Sequence, residues 1–271
     1  MDQGARTRRL SDCGTQVGLA SAGGNGSQGA GPITRVAPVR ANGVPKSASA
    51  GSNGNGHKSN HLDNHWTTKG KHVHLIGIGG CGMCGAAAML HRRGAIVSGS
   101  DRSDSASLQT LADLGIKTFV GQQGENLPET CDLVVCSAAV KESNPELQAA
   151  RQKGWTVVKY AQLLGLLMCE QEGVAVAGTH GKSTTSALIS FILREAKLDP
   201  SFVIGAGVEQ LGGGSGVGSG RHFVVEACEY DRSFQNLRPR IATILNLEED
   251  HLDYYRDLEE IIDSFHTFAA M

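Results

Sequence analysis

From residue 72 onward, short apolar runs alternate with amphipathic stretches, and twice a run passes directly into a glycine turn and a helix start. The two places are "HVHLIGIGGCGM" at 72–83 and "VAVAGTHGKSTTSAL" at 174–188. Strands that alternate with helices over such lengths imply parallel pairing, because each helix carries the chain back across the sheet before the next strand begins. Two such series restrict the chain to an α/β architecture: a Rossmann-like parallel sheet followed by a second α/β unit built around a phosphate loop.

The pattern predicts strands at 72–79, 95–101, 117–121, 131–139 and 156–159 for the first unit. Helices are expected at 82–94, 104–115 and 144–154, the last with an asparagine cap and proline in its first turn. A helix over 160–171 leads to the second series, with strands at 173–178, 201–205, 222–228 and 240–248 and helices at 182–196 and 257–271. Gly207 to Gly220 reads as a flexible connection. A parallel-sheet domain normally continues beyond one such helix, so the second unit is expected to be incomplete. The resulting division is a tail at 1–69, a Rossmann-like domain at 70–172 and an incomplete second α/β domain, built around the phosphate loop, at 173–271.

The tail is Gly, Ser, Asn and Ala with scattered charge, as in "SASAGSNGNGHKSN". So few large apolar residues cannot offset the entropy of ordering, and disorder is expected over 1–69. His57, His61 and His65 would share one face of a helix, but in such a segment solvated histidines are the expectation over a metal cluster. The formal charge of -2, without a block of like charges, argues against a nucleic-acid partner held by a broad basic face. No run approaches the roughly 18 apolar residues of a spanning helix, and no apolar segment follows the N-terminal arginines. A soluble, cytoplasmic protein without a membrane partner is expected. The seven cysteines are scattered rather than spaced as a disulfide scaffold, and the C-x-x-C of Cys81 and Cys84 lies inside a glycine loop.

That loop, "GIGGCG" at 77–82, fits G-x-G-x-x-G between a strand and a helix, with Asp101 closing the next strand. Glycines let the backbone approach a pyrophosphate seated on the helix N-terminus, and the acid can meet a ribose hydroxyl. NAD is the default ligand, yet the physics demands only a diphosphate nucleotide, and a UDP-sugar satisfies it equally. The second loop, "GTHGKST" at 178–184, has Val176 where the usual phosphate-loop pattern has glycine. Its amides can still surround phosphate oxygens, Lys182 can lie along the β and γ phosphates, and Ser183 or Thr184 can ligate magnesium. ATP is the expected ligand. Carboxylates for such a site are available at Glu226, which ends one strand, and in "NLEEDHLD" at 246–253, which follows the next and offers Asn246, Asp250 and His251.

Taken in order, "HVHLIGIGGCGM", "SGSD", "SAAVKESNPE", "AVAGTHGKSTT", "VVEACEYDRSF" and "LNLEEDHLD" resemble the Mur ligase family over about residues 70 to 271. The resemblance implies an ATP-dependent amide-bond ligase of peptidoglycan synthesis. ATP would phosphorylate the muramoyl carboxylate of UDP-N-acetylmuramate to an acyl phosphate, and the amine of L-alanine would displace phosphate. By motif match, Lys182, Glu226 and His251 would be catalytic, with Ser183 (or Thr184), Glu226 and His251 around Mg2+. Gly178, Thr179, His180, Gly181, Lys182, Ser183 and Thr184, with Asn246, would hold ATP. Gly77, Gly79, Gly80, Gly82, Met83, Asp101 and Ser137 would hold the UDP-sugar.

The chain departs from the family pattern in lacking a third domain, in its tail, and in the Tyr230–Asp231 pair, which is similar to a sister ligase that adds a tripeptide to the same UDP-sugar. Three alternatives therefore accompany the leading expectation. One is that sister activity, one is a fragment that binds UDP-sugar without catalysis, and one is a nicotinamide oxidoreductase, which leaves "GTHGKST" unexplained.

Overall fold

The computed structural model describes residues 66–271 and the backbone of Gln16–Leu19. In chain order its elements are β1 (Gln16–Leu19), β2 (His72–Ile76), α1 (Cys81–Arg92), β3 (Ile96–Asp101), α2 (Ala106–Asp113), β4 (Lys117–Val120), β5 (Leu133–Cys136), α3 (Pro145–Gln152) and β6 (Val157–Lys159). They continue with α4 (Tyr160–Cys169), β7 (Glu172–Ala177), α5 (Lys182–Glu195), β8 (Ser201–Val203), β9 (Ser215–Gly216), β10 (His222–Glu226), β11 (Ile241–Ile244) and α6 (Leu258–Ala269). The chain is α/β, as expected.

The first sheet runs β4-β3-β2-β5-β6, with every pair parallel. Val73, Leu75, Ile76, Leu133, Val134 and Val135 are all buried, which suits β2 and β5 to the centre, where both faces are covered by helices. Strand order reverses between these two, so their carboxyl ends diverge and open the crevice in which such sheets bind ligands. The caps follow the sequence: Asn144 accepts from the Leu147 amide at 3.0 Å to start α3, and Ser105 starts α2 in the same way.

The second sheet runs β1-β11-β7-β10-β8-β9, parallel except for β8 with β9. β7, which feeds the phosphate loop, lies between β11 and β10, so the residues that end those two strands flank the loop. The amphipathic α6 buries Ile261, Phe265 and Phe268, and Phe234 stacks on Phe268 at 4.8 Å and meets Phe265 edge-on at 5.0 Å. Each buried Phe contributes on the order of 2–3 kcal/mol through apolar area removed from water. Leu75, Met89, Leu163 and Leu167 from the first unit join Phe223, Phe234 and Leu237 from the second in one buried cluster.

Two expectations need correction. Within the tail, Gln16–Leu19 is a strand paired in parallel with Ile241–Ile244, an exposed strand edge being a template for any extended segment. The three tail histidines lie outside the described residues. The Gly207–Gly220 connection is not a loose loop: β9 pairs with β8, Ile204 N–H donates to Gly214 O at 2.7 Å, and Asp199 Oδ2 accepts from both the amide and the hydroxyl of Ser219 at 2.7 Å. Composition cannot reveal such anchoring, because the partners are distant in sequence. Among the described residues no helix is long and apolar enough to cross a membrane.

One buried network escaped the sequence reading. Glu146, with no exposed surface, accepts from Ser100 Oγ and from Asn126 Nδ2 at 2.7 Å, and His74 Nε2 stands 3.7 Å from its Oε2. His74 Nδ1 in turn bonds Ser98 Oγ at 2.9 Å.

Candidate functional site

The phosphate loop is built by β7 and α5. Gly181 has φ +83° and Gly178 φ +136°, both in the left-handed half of the map that glycine alone adopts without strain. A Cβ on Gly178 would also press within 3.1 Å of Leu245 Cβ. The first intrahelical bond of α5 is Thr185 N–H to Gly181 O at 3.0 Å, so the amides of Lys182, Ser183 and Thr184 point out of the helix end, where the helix dipole favours an anion. Thr179, His180, Gly181, Lys182, Ser183, Thr184 and Glu226 line a cavity of about 230 Å³ there.

Two of the residues expected near a nucleotide also hold the loop. Asn246 braces it from β11: its Oδ1 accepts from the His180 amide at 2.8 Å and its Nδ2 donates to His180 O at 3.1 Å. Thr179 Oγ1 accepts from the Glu248 amide at 2.9 Å.

The carboxylates divide into two groups. Ser183 Oγ donates to Glu226 Oε1 at 3.1 Å, and Glu226 Oε2 accepts the Gly205 amide at 2.6 Å. His251 does not join them. Its Nε2 lies 3.6 Å from Glu229 Oε1, and Glu229, Asp250 and His251 place ligand atoms within 4.8 Å of one another. Glu229 was missed by the sequence reading, although it stands three residues past Glu226 in "EACEYD". It is 2% exposed, its Oε2 is buried without a hydrogen-bond partner, and its Oε1 pairs with Lys182 Nζ at 2.8 Å. An orphaned carboxylate oxygen beside a second acid and an imidazole, with a hydroxyl and a further carboxylate across the loop, is a donor set that suits a divalent cation, hard oxygen ligands predominating. His251 has φ +55°, and its ring meets Tyr230 edge-on at 5.1 Å, so the strained backbone of a non-glycine residue sits at the site.

At the other glycine loop, Gly77 and Ile78 amides donate to Ser100 O at 2.8 and 3.0 Å, and Asp101 Oδ2 accepts the Gly79 amide at 2.8 Å. Asp101 thus holds the loop itself. Ser137, which follows β5 across the crevice, lies close enough to Gly77 that a Cβ there would come within 2.8 Å of its Oγ. Gly80 caps α1, and Gly82 lies under Tyr160, whose hydroxyl a Cβ there would strike. Met83 is 3% exposed and packs in the core beneath the loop, so it supports the loop and offers little surface to a ligand. Cys81 and Cys84 are free thiols, and burial pushes the Cys84 thiol up.

A cavity of about 400 Å³ opens from this loop, with Cys81, Gly82, Ala138, Lys159 and Tyr160 on one wall and Gly205, Glu226, Cys228, Tyr230 and Asp231 on the other. Tyr160 Oη is buried there without a partner, and burial holds its phenol well above the usual range, so it remains a donor. Glu226 lines this cavity and the phosphate-loop cavity alike.

Comparison with known proteins bears on the arrangement directly. Residues 72–172 match the Mur ligase family catalytic domain, and residues 176–271 match the Mur ligase middle domain. The chain belongs to the Mur ligase family. Among its relatives, the UDP-N-acetylmuramate--L-alanine ligase of Polaromonas naphthalenivorans is 51% identical over 185 residues, 68% of this chain and 38% of that protein. The ligase of the same name from Lachnoclostridium phytofermentans is 44% identical over 203 residues, 74% of this chain and 43% of that one. The chain therefore spans less than half the length of these relatives. A solved UDP-N-acetylmuramate:L-alanyl-gamma-D-glutamyl-meso-diaminopimelate ligase from Neisseria meningitides is 33% identical with a TM-score of 0.66, covering 73% of this chain and 67% of that one. The Thermotoga maritima UDP-N-acetylmuramate-alanine ligase is 29% identical with a TM-score of 0.67, covering 73% and 46%.

Proposed function

We propose that this Mur ligase chain carries the UDP-sugar and ATP sites of an enzyme that joins L-alanine to the muramoyl carboxylate of UDP-N-acetylmuramate in peptidoglycan synthesis. The observation that carries the reading is Glu226, which faces both cavities. A UDP-sugar seated on the 77–82 loop and a nucleotide seated on the 178–184 loop would meet at that residue. Residues 70–172 would supply the first site and 173–271 the second, with the work divided between the two glycine loops.

In this reading the amides at the start of α5 and the Lys182 ammonium bind the transferring phosphoryl group, where negative charge builds up. A carboxylate oxygen of the sugar attacks the γ-phosphorus and ADP leaves; the amine then attacks the acyl carbon and phosphate departs. Mg2+ would supply charge neutralisation to the phosphates, with Ser183 and Glu226 as one candidate set of ligands and Glu229, Asp250 and His251 as the other. Tyr160 Oη, a buried donor that α4 sets against Gly82 of α1, would give its hydrogen bond to the sugar nucleotide. Asn246 and Asp101 act on ligands indirectly, by holding the two loops in shape.

Calorimetric titration of UDP-N-acetylmuramate into the 271-residue chain, alone and with Mg2+ and a non-hydrolysable ATP analogue, tests the reading. Saturable binding of both is the expected result, and a folded chain that binds no UDP-sugar would return the 77–82 loop to the dinucleotide reading. Tyr160→Phe is expected to weaken the UDP-sugar about 5- to 10-fold with ATP-analogue binding unchanged, the loss of one buried hydrogen bond; an unaltered titration would remove the hydroxyl from the site.

The Tyr230–Asp231 pair, on the cavity wall, supports one second reading, the tripeptide-adding activity on the same UDP-sugar. Competition between L-alanine and the tripeptide for product formation by the complete protein separates the two.

A further inference from the structure

The lysine of the phosphate loop is fully engaged. Lys182 Nζ donates to Gly178 O at 2.7 Å, to Thr179 O at 3.0 Å and to Glu229 Oε1 at 2.8 Å, and an ammonium has only three donors. Two of these acceptors belong to the loop itself. The third comes from the segment after β10, and its side chain is 3% exposed against 13% for Lys182, so the pair is largely screened from water. Tyr255 Oη donates to Glu229 O at 2.6 Å and pins that segment from beneath.

We infer that Glu229 is a positioning residue that holds Lys182 folded back on the loop, so that an incoming phosphate must displace a built-in carboxylate before it gains the lysine. This rests on the reading of the 178–184 loop as a nucleotide site. A ligand that binds only after an internal contact is broken loses the free energy of that contact, and weakening the contact raises its apparent affinity. Glu229 thus sets the loop against phosphate alone, and its freed carboxylate becomes available beside Asp250 and His251 once the lysine has turned to the nucleotide.

The test is a double-mutant cycle on the 271-residue chain, with ATP binding in EDTA read by competition against a fluorescent nucleotide. Glu229→Gln is expected to bind ATP about 10-fold tighter than the parent chain when Lys182 is present, and to gain about twofold or less in a Lys182→Ala background, where only repulsion of phosphate by the carboxylate is relieved. No gain, a loss, or an equal gain in both backgrounds would overturn the inference. Should Glu229→Gln melt below the assay temperature, Glu229→Met, of similar length and uncharged, carries the same comparison. Failure of the parent chain to bind ATP at all would count against the nucleotide reading, and so against the inference resting on it, whereas a binding parent with an unresponsive Glu229→Gln overturns the inference alone.

Discussion

Lys182→Ala is expected to weaken ATP binding by about 100-fold or more, because it removes the one cation that the loop can turn toward the phosphates. Titration of UDP-N-acetylmuramate should stay within about twofold of the parent chain, since distant sites without shared partners behave independently. Lys182 makes no contact with the 77–82 loop; its partners are Gly178, Thr179 and Glu229. The substitution also strands Glu229, a carboxylate only 2% exposed, and a buried charge deprived of its partner costs stability on the order of 3 kcal/mol. Thermal melting separates the two effects: Lys182→Ala with Glu229→Gln should recover much of the melting temperature and little of the ATP affinity. Equal loss of both ligands in a folded Lys182→Ala chain would show that the two loops do not divide the work as proposed.

What could be read ahead of the structure was local. A strand, a glycine turn and a helix start occupy consecutive residues, so "HVHLIGIGGCGM" and "AVAGTHGKST" declare both loops within a dozen positions each. The caps of α2 and α3 follow from single residues, Ser105 and Asn144, each accepting from the amide three positions on. Glu229, Tyr160 and Glu146 carry no such signature, because what makes each unusual is burial imposed by elements distant in sequence. Glu229 becomes a counter-ion only when the segment after β10 folds over α5, and Tyr160 only when α4 meets the start of α1. Asp101 and Asn246 each hydrogen-bond the glycine loop beside them, and spacing does not say whether such a polar side chain serves the ligand, the loop or both. Glu226 and His251 were grouped because both follow strands that flank β7. The side chains diverge nevertheless, Glu226 toward Ser183 and His251, on a left-handed backbone, toward Glu229.

Glu146→Ala should lower stability by about 3 kcal/mol or more, the size expected when one member of a buried polar network is removed and its partners are left unpaired. For roughly 200 ordered residues that corresponds to a fall in melting temperature of about 6–12 °C. Ser100 Oγ loses its acceptor, Asn126 Nδ2 loses one of its two and keeps Gly121 O, His74 Nε2 loses its nearest carboxylate, and a cavity opens in a site with no exposed surface. Glu146→Gln keeps the volume and one acceptor, so it should cost about 1 kcal/mol, the usual net worth of a single hydrogen bond. The effect should reach the ligand as well. Ser100 O is the acceptor for the amides of Gly77 and Ile78, and the neighbouring Asp101 holds Gly79, so the end of β3 supports the first glycine loop. A Glu146→Ala chain studied below its melting temperature should therefore bind UDP-N-acetylmuramate several-fold more weakly than the Gln variant does, with ATP-analogue affinity unchanged. Equal UDP-sugar affinity in the two variants would mean that the network supports the sheet without reaching the loop above it.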